Sequence, residues 1–181
     1  NSYSPTKNLD FFFFLCYDID TERKLIPAVR TSIQSYGGDM MNTKVHELLN
    51  QQINKEFFSA YLYLDFSNYF EDAGLDGFAN WYKIQAQEER DHAMLFYQYL
   101  QNENQKVTLE AIAKPDKAIN CHMDVLKAGL EHEEYVTSLI NDIYAAAYEV
   151  KDFRAMKFLD WFVDEQGEEE KNANDMITRF E

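Results

Sequence analysis

The sequence predicts an all-α fold, a four-helix bundle with one long crossover connection. Three observations predict it. Proline occurs 3 times in 181 residues, at Pro5, Pro27 and Pro115, which leaves two long stretches free of the strongest helix breaker. Four segments within those stretches carry apolar residues at helical spacing. Two short turn-like breaks and one polar connection divide the segments, the pattern of a bundle with a single crossover.

The first stripe runs Leu49, Ile53, Glu56, Ala60, Tyr63, Ser67, Phe70. It ends at "EDAGLDG" (Glu71–Gly77), whose glycines mark a turn. The second stripe runs Phe78, Tyr82, Gln85, Glu89, His92, Phe96, Tyr99, with Trp81, Ile84 and Leu95 also expected in the core. A polar connection follows from about Asn102 to Ile119 around "KPD" (Lys114–Asp116). The third stripe is Leu126, Leu130, Glu133, Val136, Ile140, Ile143, Ala147, and the fourth is Phe158, Phe162, Glu165, Glu169, Asn172, Met176. Between them, "YEVKDFR" (Tyr148–Arg154) has a charged, non-periodic centre and reads as the second tight turn.

Two domains are expected: residues 1–41, an N-terminal extension outside the bundle, and residues 42–181, the bundle itself. The apolar run Phe11–Cys16 is too short for the hydrophobic region of a signal peptide, and acidic residues follow it. The formal net charge of −15 and pI near 4.6 exclude nucleic acid as a partner, because phosphate contacts need a basic face. No apolar run approaches the ~20 residues of a membrane span. The 2 cysteines, Cys16 and Cys121, form no CxxC pair, which argues against a disulfide framework and a thiolate zinc site and fits a cytoplasmic setting. Cys121 is expected to be buried, and His46, His122 and His132 to lie at the surface or at helix ends.

Each stripe carries at least one carboxylate. An unpaired carboxylate taken out of water costs several kcal/mol, and several converging anions also repel one another. Metal cations remove both costs. Spacing supports convergence: Glu56 and His92 each lie eighteen residues from Gly74, and Glu133 and Glu169 each lie eighteen from Lys151. At 1.5 Å per residue all four stand about 27 Å from their turns. Glu89 and His92, three residues apart, share one helix face. Oxygen-rich ligation with one imidazole suits Fe(II), Mn(II) or Zn(II).

At "LNQQINKEFFSAYLY" (Leu49–Tyr63), "QAQEERDHA" (Gln85–Ala93), "LEHEEYVTSLIND" (Leu130–Asp142) and "FLDWFVDEQGEEEK" (Phe158–Lys171) the chain resembles the bacterial non-haem ferritins. The resemblance spans about Thr43–Phe180. It implies an iron-storage ferroxidase that oxidises Fe(II) to Fe(III) with oxygen or peroxide and deposits it as mineral in a 24-subunit cage. Carried over by position, Glu56, Glu89 and His92 hold a first iron. Glu89 bridges to a second, completed by Glu133 and Glu169, with Gln166 behind them. A third iron position takes Glu88, Glu165, Glu168 and Glu169. Tyr63 and Trp161 stand beside the centre, and Tyr63 either donates an electron or orients a ligand. Asp91 is expected in solvent. Two departures from the family pattern are noted: the short fifth helix is missing after Glu181, which bears on the cage, and the 1–41 extension has no counterpart. The competing expectation is a catalytically silent or engineered scaffold of the same fold.

Overall fold

The computed structural model describes residues 41–181, so the expected N-terminal extension, all but Met41, lies outside the described residues. Four helices follow in order: α1 (Thr43–Asp72), α2 (Asp76–Asn102), α3 (His122–Val150) and α4 (Phe153–Phe180). They form an all-α four-helix bundle, and the described residues contain no strand. None of these helices is long and apolar enough to cross a membrane.

The helix ends follow from local chemistry. The Asn42 side chain accepts from the Lys44 N–H at 3.0 Å, and Asp152 accepts from Ala155 N–H at 3.0 Å. Each satisfies an N-terminal donor left without a partner inside the helix. Asp124 closes the start of α3 by accepting from the Asn120 and Cys121 N–H groups. Three helices end alike, on a left-handed residue: Gly74 (φ 69°), Asn104 (φ 55°) and Lys151 (φ 60°). The next N–H then reaches back five residues, from Leu75 to Phe70, Gln105 to Leu100 and Asp152 to Ala147, which satisfies the terminal carbonyls. Gly74 and Lys151, the centres inferred from sequence, are thus the pivots of the two tight turns.

The core has two apolar halves. Val45, Leu49 and Ile53 of α1 pack with Phe96, Leu100, Ile140, Ile143, Leu159 and Phe162 in one half. Leu62, Phe66 and Phe70 pack with Ala79, Tyr82, Val125 and Leu126 in the other. Each such fully buried side chain contributes roughly 1.5–3 kcal/mol. Between the halves lies a buried polar layer drawn from all four helices: Gln52, Glu56 and Ser59; Gln85, Glu89 and His92; His132 and Glu133; Gln166 and Glu169.

Two expected core residues face solvent instead, Ile84 (55% exposed) and Leu95 (43%). A helix buries a stripe only about 100° wide, and both lie off the stripe that runs through Tyr82, Glu89, His92 and Phe96. Cys121 is exposed rather than buried, because it occupies the extended residue just before α3.

The crossover, residues 103–121, begins as an extended strap along α1. His46 Nε2 hydrogen-bonds the Lys106 carbonyl (2.8 Å). Asn50 both donates to the Thr108 carbonyl (2.9 Å) and accepts from the Thr108 N–H (2.8 Å). Asn54 donates to the carbonyls of Glu110 (3.3 Å) and Ala111 (3.2 Å). Residues 46, 50 and 54 share one face of α1, so side-chain groups take the place of a partner strand.

Two outcomes test this account. Lys151→Gly removes the left-handed strain of a residue with a Cβ and raises stability by about 0.5–1 kcal/mol in urea unfolding. Asn50→Ala deletes both bonds to Thr108 and lowers stability by about 1–3 kcal/mol. Limited proteolysis of that variant should cut first at residues 106–112, whereas a first cut within a helix would show that the strap is held by other contacts.

Candidate metal centre

Glu56 of α1 and Glu89 and His92 of α2 meet at the polar layer, and all three are at most 3% exposed. One potential ligand atom from each lies within 4.8 Å of the other two, the span of a metal site. The His92 Nδ1 is 3.7 Å from Glu89 Oε2. Gln52, one turn before Glu56 on α1, donates to Glu56 Oε1 at 2.9 Å. The other oxygen, Oε2, is buried without a partner.

That orphaned oxygen carries the electrostatic argument. Burial, then the neighbouring Glu89 charge, pushes the Glu56 pKa well above the carboxylate range. Burial, then Glu133, does the same to Glu89. In the metal-free chain protons relieve the repulsion between these groups. A divalent cation serves the same need better, and two carboxylates with one imidazole suit Fe(II), Mn(II) or Zn(II).

The residues expected at a second ion are buried in the same layer but held by their own partners. Glu133 accepts from the Tyr63 hydroxyl and from Gln166 Nε2 at 3.1 Å. Gln166 also reaches the Glu133 carbonyl (3.3 Å) and Thr137 Oγ1 (3.4 Å). Glu169 accepts from Gln85 Nε2 at 2.8 Å, and burial followed by Glu133 lifts its pKa to about 7. Neither Glu133 nor Glu169 joins the compact trio.

A second trio, Glu88, His92 and Glu165, also falls within coordination span and lies toward the surface, both acids half-buried. Glu88 and Glu165 thus meet. Glu168 is exposed, and neither it nor Glu169 joins this group. Trp161 is 45% exposed, its ring edge-on to His92 at 5.4 Å. Asp91 is exposed and pairs with Arg90 at 2.9 Å.

His132, expected at the surface, is 5% exposed. Its Nε2 lies 2.8 Å from Ser59 Oγ, and the Ser59 hydroxyl donates to the Lys55 carbonyl. That hydroxyl has one proton, so Nε2 carries the hydrogen and donates to Ser59. Burial, then Lys117 and Lys55, lowers the His132 pKa to about 4. Periodicity alone gives Gln52 and Gln85 no role at the site. The available signal was spacing, since each precedes a proposed ligand, Glu56 or Glu89, by one turn of helix.

A family profile described as a ferritin-like domain matches residues 46–181. A probable bacterial non-heme ferritin-like protein from Haemophilus influenzae is 36% identical over 141 residues, 78% of this chain and 86% of its own. A bacterial non-heme ferritin from Campylobacter jejuni is 37% identical over 131 residues, 72% of this chain and 78% of its own. Among solved structures, an open-pore ferritin from Archaeoglobus fulgidus superposes with a TM-score of 0.75 at 38% identity, covering 77% of this chain and 85% of that one. With a buried layer of acids from four helices and these likenesses over most of its length, the chain belongs to the ferritin-like family.

Proposed function

We propose that this chain is an iron-storage protein with ferroxidase activity. The observation that carries the reading is the desolvated group of Glu56, Glu89 and His92, with its unpartnered Glu56 oxygen. Such a group is costly without a cation. The names of the relatives supply the choice of iron.

In this reading Fe(II) is the substrate. Glu56, Glu89 and His92 take the first ion. Glu89 bridges to the second, which Glu133 completes as it leaves Tyr63 and Glu169 completes through the oxygen that Gln85 leaves open. Two ferrous ions give up one electron each. Dioxygen accepts both with two protons and becomes hydrogen peroxide, or peroxide accepts them and becomes water. The protein supplies position and a dry site. Gln166 orients Glu133, and Tyr63 stands against the second position, where it can supply a further electron. Glu88, Glu165 and Glu168 lie toward the surface and give Fe(III) a way out, with a third ion held at Glu88 and Glu165. The mineral needs an enclosed volume, so a large symmetric homo-oligomer in the cytoplasm is part of the proposal.

Three outcomes test it. Stopped-flow absorbance after anaerobic Fe(II) loading and mixing with oxygen should show a rapid phase that Glu89→Ala abolishes and Glu88→Ala retains. An unchanged rate in Glu89→Ala would falsify the di-iron assignment. Light scattering should give a particle of many subunits; a monomer at micromolar concentration excludes storage.

The third outcome concerns pH. The folded-state pKa values of Glu56, Glu89, Glu133 and Glu169 are raised, so the native chain binds more protons than the unfolded one between the two sets of values. Its metal-free stability therefore falls as pH rises through that window. The depressed pKa of His132 acts in the opposite direction, but only below its unfolded value of 6.5. The melting temperature of metal-free protein should drop from pH 6.5 to 8, and saturating Mn(II) should abolish the drop. A metal-free melting temperature that rises across this range contradicts the account.

A further inference from the structure

Three glutamines each donate an amide hydrogen to a different buried acid: Gln52 to Glu56, Gln166 to Glu133 and Gln85 to Glu169. Gln52 acts within α1, and Gln166 acts between α3 and α4, neighbours in one hairpin. Gln85 differs because it ties the two hairpins together. Among the described residues, its bond to Glu169 is the one side-chain hydrogen bond that runs from α2 to α4.

Gln85 also sits one turn before Glu89, on the same face of α2. Its amide therefore fixes Glu169 with respect to Glu89, the acid assigned to bridge both ions. It occupies Glu169 Oε2 and leaves Oε1 open. A glutamine suits the task, since it offers a donor at 7% exposure without adding a charge to a layer already crowded with anions.

We propose that Gln85 is a positioning residue for the second metal ion, holding Glu169 at the height and rotation at which it completes that position. Gln52 has the matching role for the first ion through Glu56. The proposal rests on the two-ion reading above. It assigns each position its own neutral support: Gln52 governs the first association and Gln85 the second. Removing a partner that orients a metal ligand typically weakens binding ten- to a hundredfold.

The test uses Co(II), which binds without being oxidised by air, and the full chain in its native assembly. Equilibrium dialysis with metal analysis gives the ions bound per chain and their stepwise affinities. Methionine fills the glutamine volume without the donor. In Gln85→Met the second association weakens about ten- to a hundredfold and the first is retained. In Gln52→Met the first weakens instead. Circular dichroism and particle size verify that both variants remain folded and assembled. A general loss of packing would move both steps alike in both variants, and that result, or an unchanged second step in Gln85→Met, overturns the proposal. Failure of the unmodified chain to take up two ions would instead sink the oxidation reading itself.

Discussion

The rest of the structure depends on the repulsion among desolvated acids in the middle of the bundle. Glu56, Glu89, Glu133 and Glu169 are each at most 5% exposed, and burial is the first cause that raises every one of their pKa values. An isolated layer of this kind disfavours folding. It persists because two apolar halves flank it, and because Tyr63, Gln52, Gln85 and Gln166 each give an acid a hydrogen to accept. The stability of the flanking cores thus supports a site that a cation, or a shared proton, then relieves.

The fold delivers those acids by symmetry of length. Each hairpin turns on a left-handed residue, Gly74 or Lys151, and helical rise then brings side chains at equal separations to equal heights. The long crossover is needed because α3 must begin at the far end of the bundle, where His122 meets Tyr69 at 3.0 Å.

Much of this was legible in the sequence, for identifiable reasons. Helix periodicity and turn residues are local, so the helices and both pivots could be read. That Glu56, His92, Glu133 and Glu169 share one buried layer followed from counting. What escaped was set by context. Ile84 and Leu95 are apolar, but the face that a helix turns to solvent depends on its neighbours. His132 is buried against residues of α1, among them Phe58 and Tyr63. Gln85 could be placed on the right stripe, yet its partner Glu169 lies 84 positions away, a distance no periodicity encodes. Spacing also could not separate Glu133 and Glu169, held by their own hydrogen bonds, from the trio of Glu56, Glu89 and His92.

The strap along α1 behaves as a vernier, two scales of unequal division laid side by side. Four residues of helix advance about 6.0 Å, while two residues of extended chain advance about 6.7 Å. Each successive rung therefore slips by about 0.7 Å. The first two rungs close at 2.8–2.9 Å, and at the third Asn54 divides itself between two successive carbonyls at 3.2 and 3.3 Å. A fourth rung would stand about 2 Å out of step, and position 58 carries a phenylalanine rather than another amide. The difference in pitch between helix and extended chain thus limits the number of amide rungs, while Ile112 still lines a groove with Phe57 and Tyr61 of α1.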